Sequence, residues 1–198
     1  MNIIHNAFKY LRERQPPVIR VLHITILCSV LSQIIVSNFM GFTDNGEVSK
    51  KTIEYYGTWV HISTGLSLLP IAFLFIYVEL KRHGIKYFFP YFYGYGNFFQ
   101  LKEDLKQLKQ FELPEPSAYG IAAIVQGLGL GALTLVVLSG LTWFISWIFV
   151  APWADNIKEL HKILTGLIEA YVVGHGGMGL LHLFFQRRTQ KTANTSFE

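Results

Sequence analysis

Long apolar runs separated by short charged clusters dominate this chain. Four are long enough to cross a hydrocarbon core, which takes about 20 apolar residues as helix. The first runs from about Val18 to Met40 and opens behind Pro16-Pro17. The second covers about Thr58 to Leu80 and stops at Lys81-Arg82-His83. The third, about Ala118 to Val150, is long enough to tilt or to project beyond the membrane, and the fourth, about Ile157 to Phe185, stops at Gln186-Arg187-Arg188. The pattern predicts an all-α fold, an integral-membrane four-helix bundle forming a single membrane domain over residues 1–198. The longest connection, about 81–117, carries Leu101, Leu105, Leu108 and Phe111 at helical spacing beside Lys102, Lys106 and Lys109. That reads as an amphipathic helix on the inner membrane surface, covering the loop or offering a docking site. Pro114 and Pro116 end it. The aromatic, Gly-rich run at 87–99 matches no phosphate or nucleotide loop, and no internal repeat is present.

Composition agrees with this picture. Of 198 residues 51% are hydrophobic and 15% charged, with mean hydropathy +0.33, whereas soluble domains carry about 25% charged residues. The formal charge of +4 does not imply nucleic acid, because the basic residues sit between the apolar runs and read as topology signals. Lys9, Arg12, Arg14 and Arg20 precede span one; Lys81, Arg82, Lys86, Lys102, Lys106 and Lys109 lie between spans two and three; Arg187, Arg188 and Lys191 follow span four. Only Lys50, Lys51, Lys158 and Lys162 fall on the opposite side. Both termini are therefore expected in the cytoplasm, and Tyr55, Tyr56, Trp59, Trp147 and Trp153 at the outer interface. The N-terminal segment is too polar for a secretory signal.

Candidate chemistry enters with the histidines. His23, His61, His161 and His175 lie inside spans one, two and four. A neutral imidazole in hydrocarbon is costly unless its ring nitrogens are used, so intramembrane ionisable residues are functional candidates. His161 and His175 are fourteen residues apart; this leaves about 40° from whole turns and an axial separation of about 21 Å. The two thus project from nearly one face, too far apart for one metal but suitably spaced for two haems. Span four begins outside, so His161 shares its depth with His61 at the start of span two. Span one begins inside, so His23 shares its depth with the later part of span four. The expected pairs are His61 with His161 and His23 with His175, serving as axial ligands of haem iron. His182, seven residues past His175 on almost the same face, is an alternative that depth alone does not separate. Cys28 is the sole cysteine and no C-x-x-C-H occurs, so the haems would be noncovalent. A zinc site fits less well, since the pairs cannot share a metal and lack acidic or Cys co-ligands.

Smaller features bear on the same site. Gly65 follows His61 by four and Gly179 follows His175 by four, which leaves bare helix for a porphyrin beside each ligand. Gly127, Gly129 and Gly131 also permit close approach, although ordinary small-residue packing in membranes accounts for such glycines too. Glu169, about 80° round from His161, carries protons, bonds a ligand imidazole, or pairs with a Ser or Thr of another helix. His5 is read as solvated, His83 as sitting among headgroups, and Glu79 as pairing with Lys81 or Arg82.

On His23 in R-V-L-H, His61 in H-I-S-T-G, L-V-V-L-S-G-L-T-W in span three and H-x13-H in span four, the chain resembles the bacterial cytochrome b561 superfamily. The likeness is to membrane b-subunits of formate dehydrogenase, thiosulfate reductase and hydrogenase type, and it covers all four spans. It implies two haem b groups, with one ligand each from the fourth helix and the others from helices one and two, which favours His175 over His182. It also implies electron exchange with quinone beside the inner haem and with a periplasmic or membrane-anchored redox subunit beside the outer one. The formate dehydrogenase branch has an Asn near the start of span three; here Pro116-Ser117-Ala118-Tyr119-Gly120 has none, leaving His175, Tyr119 and Gly120 as places to seek a quinone. Arg20 is placed to pair with an inner propionate and Lys158 or Lys162 with an outer one, simple snorkelling being the alternative.

The expected function is a diheme b-type cytochrome of the bacterial inner membrane, passing electrons between quinone and a periplasmic partner as the membrane subunit of a respiratory oxidoreductase. An electron-transfer subunit is favoured over a complete enzyme. The alternative is a stand-alone quinol oxidoreductase that reduces superoxide or another small acceptor.

Overall fold

A computed structural model describes residues 15–92, 98–110, 112–114 and 117–195, with backbone alone at 91, 183 and 185–195. His5, Lys9, Arg12, Arg14, Phe111, Pro116 and residues 93–97 of the aromatic run lie outside the described residues, as do the side chains of Arg187, Arg188 and Lys191. The helices are α1 (Pro17–Ser37), α2 (Thr52–His83), α3 (Ile85–Phe88), α4 (Phe98–Lys109), α5 (Ile121–Ile148) and α6 (Ala154–Thr195), with a 3-10 turn at Pro90–Phe92. Among the described residues one isolated antiparallel bridge, Phe42 to Val48, is the β-type pairing present.

Helices α1, α2, α5 and the Ala154–His182 part of α6 are each long and apolar enough to cross a membrane. Their surfaces argue the same way. Val21, Ile35, Leu74, Leu135, Ile163 and Val173 are all at least half exposed, as suits side chains facing lipid tails rather than water. The protein is an all-α, multi-pass membrane protein.

Local chemistry moves the helix ends from their expected places. Pro17 opens α1, where its missing N–H would have no partner in any case. The helix stops at Ser37 rather than Met40 because Ser37 Oγ and Asn38 Nδ2 both donate to the Ile34 carbonyl, competing with the backbone ladder. α5 starts at Ile121 rather than Ala118, after Tyr119 in a left-handed conformation (φ 63°). α6 is helical to Thr195, beyond the expected Phe185.

The chain divides into two compact units. One comprises Val21–Glu79 and Leu130–Glu169, and so contains parts of all four long helices. In it the α1–α2 connection folds tightly back. Thr43 N donates to Glu47 O at 2.8 Å and Gly46 turns at φ 77°. Thr58, fully buried, donates to Glu54 O and accepts from Gly41 N. A Cβ on Gly57 would come within 2.5 Å of the Phe39 carbonyl oxygen, so that position has room for glycine alone. Trp147 Nε1 donates to Gly46 O at 2.8 Å, Phe42 meets Trp143 and Trp147 edge-on, and Trp59 also meets Trp147. Lys158 Nζ stands 4.5 Å over the Phe42 ring, and Lys162 pairs with Glu159.

The other unit comprises Met1–Arg20, Leu80–Gly129 and Ala170–Glu198. Here the buried residue of α4 is not a leucine but Asp104; Leu105 is exposed. One Asp104 oxygen accepts from Ile121 N at 2.8 Å, and the other accepts from Gln100 Nε2 at 2.8 Å. A carboxylate so placed satisfies a free N–H at the start of α5 and complements the helix dipole. His83 stacks on Tyr87 at 4.7 Å and meets Phe88 edge-on. Gly127 is packed against the Phe88 carbonyl.

Candidate functional site

Within the first unit, α1, α2, α5 and α6 enclose a mainly apolar cavity of about 810 Å³, its open mouth included. His61 and His161 reach it from α2 and α6, with Gly65, Gly140 and Glu169 also in its wall. Glu169 is exposed.

The two imidazoles have ring centres 6.4 Å apart and planes inclined at 78°. A direct hydrogen bond between them would need about 2.7–3.2 Å between nitrogens. Adding about 1.1–1.2 Å from each nitrogen to its ring centre gives roughly 4.9–5.6 Å, too short for the observed gap. Two metal–imidazole bonds of about 2.0–2.1 Å give roughly 6.2–6.6 Å instead. The gap therefore fits one shared metal atom between the rings.

The surroundings of each ring fit ligation as well. Ser139 Oγ donates to the Val136 carbonyl at 3.0 Å and stands 2.9 Å from His161 Nδ1. With the hydroxyl proton on the Val136 carbonyl, that oxygen is placed to accept from Nδ1 in the tautomer that leaves Nε2 its lone pair. His61 Nδ1 is buried without a hydrogen-bond partner, while the Gln33 backbone borders the same ring. A buried, unpaired ring nitrogen is costly in apolar surroundings, and a metal ligand bond is one way to satisfy it. Gly140 lies against His161: a Cβ there would be 3.0 Å from Cε1. Gln33 Nε2 bonds Thr64 Oγ1, and its Oε1 faces Gly65. These features fit haem b, held by His61 and His161.

The remaining candidates are placed as follows. His23, in the same unit, stacks with Phe75 at 6.2 Å. In the second unit His175 stacks on Tyr171, four residues earlier, at 5.1 Å and 9°, and the Tyr171 ring packs on the bare face of Gly129. Nothing lies within 4 Å of where a Gly179 side chain would begin. His182 is half-buried. Arg20 Nη1 and Ser117 Oγ are buried without hydrogen-bond partners. Among the described residues no cluster of three or more His, Cys, Asp and Glu could hold a metal, so ligation here is a matter of histidine pairs. Sequence reasoning missed Ser139, Gly140 as a neighbour of His161, Gln33 and Tyr171. Ser139-Gly140 stood within the span-three motif, the one signal that pointed toward them.

Residues 14–193 match the family model described as prokaryotic cytochrome b561. No curated protein and no solved structure matches the chain.

Proposed function

Since the chain belongs to the prokaryotic cytochrome b561 family, b-type haem proteins that transfer electrons in membranes, we propose that it is a diheme conduit between quinone and an outer redox partner. His61 and His161 hold the outer haem b, and His23 with His175 the inner one. The observation that carries the reading is the 6.4 Å gap between two cavity-facing imidazoles, one of them 2.9 Å from the Ser139 hydroxyl oxygen through its Nδ1.

Haem b, when bound, supplies a one-electron iron couple. The protein's own residues do the rest. Two imidazoles holding the group would suit electron transfer rather than bond chemistry. Val30, Ile62, Leu69 and Val137 keep water from the outer site. His161 and His175 share α6, fourteen residues apart, and so set the two sites about 21 Å apart along one helix. The excess of Lys and Arg before α1, between α2 and α5, and after α6 favours an inner-membrane orientation with both termini in the cytoplasm. His61 and His161 then face the periplasmic side, where a redox subunit docks. Quinone binds toward the cytoplasm, near His175, Tyr119 and Gly120, with Arg20 available to a propionate.

The test is haem stoichiometry of the purified chain, by pyridine haemochrome, together with an anaerobic redox titration. Two haems per chain and two one-electron steps are expected, and His161→Ala should remove one of each. A colourless protein, or a His161→Ala variant that keeps both haems, refutes the assignment. Full turnover of quinol by the isolated chain would reassign it from subunit to complete oxidoreductase.

A further inference from the structure

The serine and glycine of the span-three motif both border His161. Gly140 removes the one side chain that would strike the ring: a Cβ there would lie 3.0 Å from Cε1, 3.4 Å from Nδ1 and 3.6 Å from Nε2. Ser139, one residue earlier and 8% exposed, aims the ring from the adjoining position. Its hydroxyl donates to Val136 O one turn back, which leaves its oxygen free to accept from Nδ1 at 2.9 Å.

We propose that Ser139-Gly140 is the positioning element of His161: the glycine clears space for the ring, and the serine locks the tautomer and raises the electron-donor strength of Nε2. This rests on the haem reading above and extends it to the potential of one haem. The physical reason is general. An acceptor on the distal N–H of a metal-bound imidazole fixes its orientation and increases its basicity. A more basic ligand favours the oxidised iron, so it lowers the reduction potential. At His61 Nδ1 is buried with no hydrogen-bond partner, and the Gln33 backbone is the polar group at its ring. The side-chain hydroxyl available to tune the outer site is therefore that of Ser139 at His161.

The experiment compares Ser139→Ala and Ser139→Thr with the unaltered chain, all purified with haem. The readouts are midpoint potentials from anaerobic titration and the low-spin signals in electron paramagnetic resonance. Ser139→Ala should raise one midpoint, shifting that haem's reduction equilibrium by up to about tenfold, about 59 mV for a one-electron couple. The other midpoint should stay put. Ser139→Thr keeps the oxygen and should restore both the potential and the spectrum. Loss of the outer haem from Ser139→Ala alone, with Thr retaining it, supports the same role in stronger form. Two haems with both midpoints unmoved in Ser139→Ala overturn the proposal, as do equal changes in the Ala and Thr variants, which would mark mere packing. An unaltered chain without haem refutes the underlying reading instead, so the two failures are distinct.

Discussion

Gly140→Ala sets local helix preference against the demands of the site. Alanine is favoured over glycine inside a helix by about 1 kcal/mol, so on backbone grounds the variant should gain stability. The new methyl, however, would lie 3.0 Å from His161 Cε1, whereas non-bonded carbons rest about 3.5–4.0 Å apart. The ring must therefore give by a few tenths of an ångström. Metal sites tolerate about 0.2 Å around their preferred bond lengths, and the present 6.4 Å gap already lies mid-range for a shared metal. A displacement of that size also strains the 2.9 Å contact with Ser139. The expected outcome is a folded protein with one haem per chain, or with its outer haem partly converted to high spin. Gly131→Ala is the matched control: it lies on the same helix, nothing stands within 4 Å of its Cβ position, and it should keep both haems. Haemochrome stoichiometry and the visible spectrum decide. A Gly140→Ala variant with two haems and an unchanged low-spin spectrum would show that His161 does not sit where ligation needs it.

Two further outcomes are expected. His175→Ala should abolish the inner haem while His182→Ala leaves it intact, read by the same stoichiometry and titration; the reverse result would move the ligand seven residues along α6. Asp104→Ala removes the buried acceptor at the start of α5, a loss of about 1–3 kcal/mol from cap and dipole together; it should lower the melting temperature in detergent, Asp104→Asn less so. Equal melting of all three forms would mean that the α4–α5 tie contributes no stability.

Much of the fold was legible in the chain because the bilayer imposes a coarse rule. Backbone polar groups in hydrocarbon must bond within their own segment, so an apolar run of sufficient length reads as a helix whatever its neighbours do. All four long helices obey this. Their ends do not, since ends depend on side chains that bond across sequence. Ser37 and Asn38 close α1 from its own last turn, a short-range effect that a hydropathy run overlooks. The start of α5 depends on Asp104, seventeen residues upstream. On sequence alone Asp104 sits among lysines and glutamates and looks like part of a solvated face, while Leu105 beside it looks like core. The opposite holds, because a buried helix start needs an acceptor more than α4 needs another leucine.

The candidate site divides along the same line. Depth in the membrane follows from counting residues along each span, and that counting puts His61 level with His161, whose rings lie 6.4 Å apart. Rotation about each helix axis does not follow from counting, because helices hydrophobic all round carry almost no directional signal. α5 is such a helix, and its Gly127, Gly129 and Gly131 read alike in the sequence, with Gly140 only part of a motif. In the structure they differ: Gly127 meets the Phe88 carbonyl, Gly129 the Tyr171 ring and Gly140 the His161 ring, while Gly131 meets nothing. Glycines thus report what a helix face touches only once its rotation is known. Ser139 follows the same logic with greater consequence, since its spacing of 22 residues from His161 crosses a loop and belongs to no helical period. Where a featureless membrane helix carries one hydroxyl beside one glycine, that pair is the place to look for the residue that orients a neighbouring helix's ligand.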